Sequence, residues 1–235
     1  MASPFFGAKS IPMRVRMAIT VAISVVIVPL LPPAPNLDLL SPPAYFITLH
    51  QVLVGVAMGF SLRLVFAAVE LGGQILGQLM GLGFASLMDP QNGVQVPVVS
   101  QFYAMLLTLV YLGLDGHLIA IQVLVDSFRL IPLGSQGLPM DAWWDLAVFG
   151  GQMLRGALLM ALPAMAALLL LNVTFAVIVR AAPQLNLFAI GFPITLGLGL
   201  LVMIYTLPGF VPQIELLLDG ALALAKGLPL VGHGR

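Results

Sequence analysis

Long stretches without a charged side chain constrain this chain more than any other feature. Residues 45–62, 94–114 and 181–214 contain no Asp, Glu, Lys or Arg, and residues 17–32 are equally free of charge. A helix of roughly 20 mostly apolar residues crosses a hydrocarbon core about 30 Å thick. Because only 8% of the residues are charged and 60% are hydrophobic, the chain cannot cover itself with polar surface. The sequence therefore predicts an integral membrane protein.

The fold class follows from the bonding needs of a backbone in lipid. Spanning structures must satisfy their own N–H and C=O groups, and this chain lacks the alternating polar and apolar segments of a β-barrel. We therefore predict an all-α, polytopic membrane protein of helical hairpins, forming a single membrane domain over residues 1–235. Its predicted parts are a basic cytoplasmic loop, helical hairpins, a polar connection and C-terminal helices, at residues 1–16, 17–125, 126–145 and 146–235.

Basic residues near the N-terminus predict that this end faces the cytoplasm. Lys9, Arg14 and Arg16 precede the first apolar stretch, and positively charged flanks resist translocation. Counting one crossing per apolar stretch, with a boundary at Arg63, puts Arg180 outside, against the rule. Either one segment is re-entrant or the helices are not simple spans. A cleavable signal is disfavoured because no Ala-x-Ala site follows the first apolar stretch.

The charge balance and the residue types present argue against several classes of function. Nine basic and nine acidic residues leave no electrostatic footprint for nucleic acid. Without cysteine, the chain has no thiolate nucleophile, disulfide or cysteine-based metal site. The three histidines lack His-Glu-x-x-His spacing, and the sequence has no Gly-x-Ser-x-Gly elbow or P-loop. We predict a protein that is not an enzyme and that binds no cofactor, metal or nucleic acid.

Glycines at helical spacing predict close helix packing. Gly55 and Gly59 form one Gly-x-x-x-Gly pair, and Gly73, Gly77 and Gly81 form a continuous ladder. This spacing lets two helix backbones approach closely in lipid, either within the chain or against a partner subunit. Glycine is common in membrane helices, so a generic role stays open as the alternative.

Amide side chains inside the apolar stretches predict partners across helices. Buried amides in lipid hydrogen-bond to neighbouring helices, each contributing about 0.6 to 2 kcal/mol, which favours a multi-helix or multi-subunit assembly. Gln74 and Gln78 share one helical face and would either pack or line a water-filled path. The amides are Gln51, Gln74, Gln78, Gln101, Gln152, Asn172, Gln184 and Asn186.

Ionisable residues at membrane depth are expensive, which makes them functional candidates. Arg63 and Glu70 are seven residues apart, too far for a direct i, i+4 pair but close enough to share an interface. Asp115 and His117 flank Gly116, which favours a loop at the water boundary and leaves a proton relay as the alternative.

The segment after the glycine ladder predicts a break in the helix near membrane depth. Residues 80–93 combine glycines and bulky apolar residues with an Asp-Pro break at Asp89 and an Asn-Gly turn at Asn92. Non-helical backbone at this depth is tolerated where it is buried in protein or lines a cavity. The segment would then be a mobile apolar constriction that closes a pore, or an ordinary interhelical loop.

Ordered blocks of sequence resemble the FliR family of flagellar type III export-gate subunits. The segment from Met80 to Ser86 with Asp89-Pro90, followed by residues 92–97, is similar to that family's signature loop. The resemblance covers nearly the whole chain. The other matching blocks are Ile11-Pro12 with Arg14 and Arg16, Leu114-Asp115-Gly116-His117, Asp126-Ser127-Phe128 with Ile131-Pro132-Leu133-Gly134, Ala161-Leu162-Pro163, Ala182-Pro183-Gln184-Leu185-Asn186 and Gly191-Phe192-Pro193.

The resemblance implies a non-enzymatic subunit of a type III export apparatus in the bacterial inner membrane. In that family, one FliR copy completes a helical assembly of FliP and FliQ subunits. Its bent hairpins are raised partly out of the bilayer, and FlhB associates with it. The expected partners are therefore FliP, FliQ and FlhB homologues, exported flagellar proteins as substrates, and the lipid bilayer. Such raised hairpins would also explain the topology conflict at Arg180.

The resemblance also implies that the loop at residues 83–97 plugs the closed pore and moves when substrate passes, with Phe84 as a stopper residue. The predicted plug residues are Gly83, Phe84, Ala85, Ser86, Leu87, Met88, Asp89, Pro90, Gln91 and Asn92. The predicted helix-packing or subunit-interface residues are the five glycines above with Gln74 and Gln78, and the matched positions Pro183, Gln184, Asn186, Gly191 and Pro193.

Two features depart from the family pattern. Leu87 stands where members often carry a second aromatic residue, which keeps the plug apolar. Family members usually have one more apolar segment before the basic loop, so a late start assignment or a truncation is expected.

Three other functions are kept as alternatives. The closest is the equivalent subunit of a virulence-type injectisome, which neighbouring genes would distinguish from a flagellar one. A secondary transporter predicts paired intramembrane charges and an inverted repeat, and a membrane enzyme predicts a convergent ionisable cluster. Neither pattern is evident in the sequence.

Overall fold

Six α-helices make up most of the described part of the chain. The computed structural model describes residues 12–31, 41–83, 97–130, 138, 140–182 and 187–227. The helices are α1 (Met13–Ile27), extended by a 3-10 turn (Val28–Leu30), α2 (Pro42–Leu79), α3 (Val98–Gly113), α4 (Gly116–Leu130), α5 (Met140–Ala181) and α6 (Leu187–Gly227). The prediction of an all-α, polytopic membrane protein is confirmed.

Among the described residues, four helices are long and apolar enough to cross a membrane. They cover Met13–Leu30, Pro42–Leu79, Met140–Ala181 and Gly191–Gly227, and α3 with α4 adds a fifth candidate if the bent pair is one span. At about 1.5 Å per residue, the 38 residues of α2 and the 42 residues of α5 extend about 57 and 63 Å. A perpendicular crossing needs only about 30 Å, so both helices extend well beyond one.

Helix α2 continues without interruption past Arg63. The sequence predicted two apolar segments with a boundary at this residue, and that prediction is wrong. Arg63 and Glu70 are both exposed, so one continuous helix carries both charges on its surface. Arginine is a good helix former, and residues 60–69 contain neither Gly nor Pro. The crossing count that used Arg63 as a cytoplasmic boundary is therefore wrong as well.

A sharp bend separates α3 from α4, as the turn signal around Gly116 predicted. The two helices are bent by 66°, and Asp115 between them has a φ of 54°, in the left-handed region. A Cβ on Gly116 would collide with the ring of Tyr111 and lie 2.9 Å from the Tyr111 carbonyl oxygen. That ring also packs edge-on against Phe66, with 6.1 Å between ring centroids. The bend thus depends on a buried aromatic ring lying against a glycine.

The polar connection predicted at residues 126–145 is shorter in the structure. Helix α4 continues to Leu130, and α5 already begins at Met140. Ser127 is buried and donates its Oγ to the Leu124 carbonyl at 2.7 Å, so this polar residue is satisfied inside the helix. Serine can bond to its own helix backbone in this way, which is why a polar residue alone does not predict a loop.

The first compact unit comprises residues 1–66, 111–153 and 216–235. Its core brings together α2, α4, α5 and α6. Ala57 and Ala142 are almost fully buried there, and such small side chains let helices approach closely. The core cluster is Val54, Ala57, Met58, Val123, Ala142, Leu146 and Ala225.

The second compact unit comprises residues 67–110 and 154–215. Here α5 presents buried alanines, among them Ala157 and Ala161, one helical turn apart. A Cβ on Gly72 of α2 would lie 3.3 Å from the Ala157 carbonyl oxygen, so these two helices meet through small residues.

Candidate functional site

A close backbone approach joins α2 and α3 at Gly73. A Cβ on this glycine would lie 2.6 Å from the Cα of Ser100 and 3.0 Å from its backbone nitrogen. Next to this contact, the Ser100 Oγ donates a hydrogen bond to the Glu70 carbonyl at 2.8 Å. The structure therefore places Gly73 at a tight helix contact inside the chain, where a side chain larger than hydrogen has no room.

The next two glycines of the ladder have different surroundings. A Cβ on Gly77 would lie 3.6 Å from the Val99 Cβ, an ordinary contact. Gly81 has a φ of 82° and donates its N–H to the Gln78 carbonyl at 3.0 Å, while the Leu82 N–H bonds to the Gly77 carbonyl at 3.0 Å. This pair of bonds around a left-handed glycine is a Schellman motif. Gly81 therefore ends α2, and its predicted role in helix packing or at a subunit interface stays a prediction.

The predicted plug begins directly after this helix end. A Cβ on Gly83 would meet only the Gln78 Cγ, at 3.9 Å, so Gly83 has free space around it. The other predicted plug residues, at positions 84–92, lie outside the described residues. Their role stays a prediction, and the structure defines the point at which α2 stops before them.

Glu70, Gln74 and Gln78 form a stripe on α2 that we call the α2 polar stripe. They are spaced four residues apart and therefore share one helix face, and all three are exposed. They lie in the C-terminal part of α2, a helix whose most apolar window has a mean hydropathy of 2.2. Among the described residues, neither Gln74 nor Gln78 packs into the interior. Both amides are therefore open to a partner surface or a water-filled path.

Gly55 and Gly59 line an open groove in the first unit. The groove has a volume of 450 Å³, and both glycines belong to its α2 wall. A Cβ on Gly55 would meet nothing within 4 Å, so Gly55 makes no close helix contact among the described residues. The packing role predicted for this pair against another molecule stays a prediction.

Of the residues predicted around the proline motifs, Gly191 and Pro193 are described. Gly191 is buried, and Pro193 lies exposed inside α6. The Thr195 Oγ1 donates to the Gly191 carbonyl at 3.1 Å and to the Phe192 carbonyl at 2.9 Å. Since proline lacks an N–H, α6 loses one backbone bond at Pro193, and the Thr195 hydroxyl bonds to the helix's own backbone beside this position. The predicted residues Pro183, Gln184 and Asn186 lie outside the described residues.

A partly open cavity of 250 Å³ in the second unit was not predicted from the sequence. The polar side chains in its lining are Tyr103, Tyr205, Thr206 and Gln213. The Tyr103 hydroxyl is hydrogen-bonded to Thr206, and its ring packs against Phe210 with 4.8 Å between centroids. Pro163 lines the cavity. Because a proline interrupts backbone bonding and packing along a helix, Pro163 is the residue from which the sequence could have indicated this site. Sequence could not show that these residues of three helices face one another.

The ionisable residues do not form a reactive centre in the part of the chain that the structure describes. No group of three or more His, Asp and Glu side chains there could hold a metal ion. His117 has a buried Nδ1 without a hydrogen-bond partner, and Arg155 is exposed on α5. The arrangement therefore offers contact surfaces and a helix end rather than an assembly of acid, base and nucleophile.

Comparison with known proteins decides the family. The sequence model of the bacterial export proteins, family 1, matches residues 1–221. The chain belongs to this family. The flagellar biosynthetic protein FliR of Escherichia coli (strain K12) is 37% identical over 213 residues, which are 91% of this chain and 81% of that protein. FliR of Pectobacterium carotovorum is 36% identical over the same shares of the two chains. The resemblance to the FliR family is confirmed.

A more distant relative comes from another secretion context. The surface presentation of antigens protein SpaR of Salmonella typhimurium is 30% identical over 158 residues, which are 67% of this chain and 59% of SpaR. Both its identity and its coverage are lower than those of the FliR proteins above.

Membership in bacterial export proteins, family 1, gives the candidate surfaces their context. With its membrane-length helices and FliR relatives, this member is a multi-pass inner-membrane subunit of a type III flagellar export apparatus. The family is one of structural export subunits, not enzymes. Three features are therefore candidate contact or channel surfaces: the α2 polar stripe, the end of α2 and the exposed apolar helix faces.

Proposed function

We propose that this chain assembles with FliP and FliQ homologues to form the export gate of the flagellar type III apparatus. The α2 polar stripe carries the proposal. A charged side chain facing lipid at a helix centre costs about 2.5 to 3.5 kcal/mol, and amides need partners as well. Glu70, Gln74 and Gln78 are exposed near the C-terminal end of a membrane-length helix, so wherever this part of α2 lies in hydrocarbon they need another subunit or a water-filled conduit beside them.

The low coverage of α5 supports the same assembly. Only 11% of its most apolar window is buried within the chain, compared with 44% for α2. Its exposed leucines include Leu154, Leu162 and Leu170. A 42-residue helix of about 63 Å presents more apolar surface than a bilayer of about 30 Å covers, so partner subunits cover the remainder.

In this assembly, the segment after the Schellman motif acts as the plug. Gly81 stops α2 through its left-handed conformation, and the proposed plug consists of Gly83 and the mainly apolar residues that follow it up to Asn92. An apolar constriction closes a pore by excluding water. Exported flagellar proteins displace the plug as they pass. The resemblance to FliR also leads us to propose that an FlhB homologue associates with the gate.

The test is affinity purification of the full chain from its own membrane in mild detergent, followed by mass spectrometry. We expect recovery of FliP and FliQ homologues with the unaltered chain. Replacing the α2 polar stripe (Glu70→Leu, Gln74→Leu and Gln78→Leu together) should lower that recovery about tenfold or more, since three interhelical polar contacts are lost. Gln122→Leu is the matched control, because Gln122 is an exposed amide on α4 outside the stripe.

The possible outcomes of this experiment test the subunit contact of the stripe and the export-gate function separately. Normal assembly with reduced export in the triple variant would mean that the stripe lines the conduit and contacts no subunit. A solitary chain, recovered without companions and conducting small solutes, would contradict the export-gate function itself.

The second candidate is the equivalent subunit of a virulence-type injectisome, favoured only by the partial match to SpaR. Complementation separates the two. The flagellar function predicts that the chain restores motility to a strain lacking its own FliR, and the injectisome function predicts that it restores only needle-dependent secretion.

A further inference from the structure

An apolar groove of 450 Å³ opens in the first unit, among α1, α2, α4 and α6. The α1 wall includes Ile19, Ile23 and Ile27, and the α2 wall includes Gly55 and Gly59. A Cβ on Gly55 would meet nothing within 4 Å, so the wall is open at this glycine. The volume lies within the range of about 300 to 1,000 Å³ that is typical of small-molecule sites.

The hydroxyl groups in the α1 wall are already satisfied by their own helix. The Thr20 Oγ1 donates to the Arg16 carbonyl at 2.9 Å, and the Ser24 Oγ donates to the Thr20 carbonyl at 2.8 Å. They offer a ligand no free donor, so this wall behaves as an apolar surface. A purely polar occupant would lose its water without gaining comparable hydrogen bonds.

A positive charge stands at one end of the groove face of α1. Arg16, Ile19, Ile23 and Ile27 follow one another at three or four residues, so they lie on one stripe of the helix. Arg16 is half-buried, and Arg14 adds a second, exposed guanidinium in the same turn. The groove is therefore lined mainly by apolar side chains, and the positive charge of Arg16 lies just beyond the end of the groove that Ile19 lines.

The dimensions of the groove suit an extended hydrocarbon chain. The α2 wall extends from Gln51 to Leu62, a rise of about 17 Å. A single acyl chain is narrow enough to lie along this wall.

We propose that the groove binds one acyl chain of an anionic membrane phospholipid, with the phosphate at Arg16. The apolar walls take the hydrocarbon, and the guanidinium group of Arg16 takes the phosphate oxygens, an arrangement in which arginine forms strong charge-assisted bonds; Arg14, two residues away and on another face of α1, adds to the positive charge at this end of the helix. Basic pockets between membrane helices on the cytoplasmic side are known to hold anionic headgroups. The bound lipid fills the space between α1 and the rest of the first unit. This role is independent of the export-gate proposal.

Photo-crosslinking of the full chain, purified from its own membrane together with any subunits that accompany it, tests the site. The purified protein is reconstituted in nanodiscs that contain trace phosphatidylglycerol or phosphatidylcholine carrying a photoactivatable group on the acyl chain, and adducts are mapped by peptide mass spectrometry. We expect adducts on peptides covering residues 17–31 and 51–62, with the phosphatidylglycerol label preferred. Equal labelling by the two lipids, or labelling confined to other peptides, would overturn the proposal.

Two variants separate the headgroup from the chain. Arg16→Gln should reduce the preference for phosphatidylglycerol about fivefold and leave chain insertion intact; Arg180→Gln, on α5 of the second unit, is its control. Gly55→Leu should abolish the groove adducts of both lipids, because the new side chain enters the groove. Gly151→Leu is the matched control, since a Cβ there also meets nothing within 4 Å and Gly151 is not part of the groove wall.

The remaining outcomes are equally decisive. Unchanged labelling in both Arg16→Gln and Gly55→Leu would refute the site. A protein cross-link from the groove to another subunit, in place of the lipid adduct, would show that a partner side chain occupies it.

Discussion

Gly73 and Ser100 stand so close that the position of a Cβ on Gly73 lies 2.6 Å from the Ser100 Cα. The contact is between two backbones, so neither residue can move away by changing a side-chain rotamer. One hydrogen bond, from the Ser100 Oγ to the Glu70 carbonyl at 2.8 Å, reinforces it. This contact fixes α2 against α3, and α2 in turn carries the polar stripe and the helix end before the plug.

Gly73→Ala should destabilise the protein by about 1 to 3 kcal/mol, the usual cost of overpacking a close contact. The measurement is the unfolding free energy of the purified chain in detergent. Gly77→Ala is the matched control one turn later, because its new methyl group would sit at 3.6 Å from Val99 and raise helix propensity. Equal stability of the two variants would contradict a tight contact at Gly73.

Ser100→Ala should cost about 0.5 to 1.5 kcal/mol, because it removes a hydrogen bond that links two helices. The control is Thr108→Ala on the same helix. Thr108 donates to the Ala104 carbonyl within α3 at 2.8 Å, so its loss breaks no link between helices. A larger loss for Thr108→Ala than for Ser100→Ala, in the same unfolding assay, would contradict the prediction.

Gly81→Ala should destabilise the end of α2 by about 1 to 2 kcal/mol, the cost of a left-handed conformation for a residue with a Cβ. Gly81→Asn should recover part of that loss, since asparagine tolerates this conformation better. Gly83→Ala has no such strain and should be close to neutral. Hydrogen exchange of the amides at residues 77–82 reports the effect directly, and faster exchange is expected only in the Gly81 variants.

Gly116→Ala should collide with the Tyr111 ring and destabilise the bend by about 1 to 3 kcal/mol. Combining it with Tyr111→Leu removes the ring and should relieve part of the strain. A double-mutant cycle measures this coupling, expected at about 0.5 kcal/mol or more. Strictly additive losses would show that the ring does not hold the bend.

Deleting residues 83–92 should make the reconstituted export complex conduct ions in its resting state, because an apolar plug keeps water out of a closed pore. Planar-bilayer conductance measures this. Deleting residues 228–235 is the control, since that segment lies beyond α6 and outside the predicted plug. An unchanged resting conductance after the first deletion would refute the plug.

The glycine ladder shows what sequence could and could not predict. Gly73, Gly77 and Gly81 have identical chemistry at identical spacing, and the sequence assigned all three one role. The structure gives the first a tight backbone contact, the second an ordinary contact, and the third a left-handed helix end. The difference lies in what stands opposite each glycine, which the spacing along one helix does not contain.

Arg63 gives the complementary case. Its charge in an apolar stretch predicted a boundary between two spans, yet α2 passes through it unbroken. A charge raises the cost of facing lipid but does not break backbone hydrogen bonds, so it predicts where a helix needs a polar neighbour and not where it ends.

By itself, the sequence determined that this chain is a set of membrane helices, because hydrocarbon forces every spanning backbone to bond within its own helix. The ordered sequence blocks determined its resemblance to the FliR family. The sequence also predicted the turn at Gly116, because the residues that indicate it are adjacent in the chain. Only the tertiary structure decided which helix faces meet, where Gly55 leaves a groove, and that Gln74 and Gln78 point away from the chain's interior. Those properties depend on residues that are far apart in sequence, and packing alone brings them together.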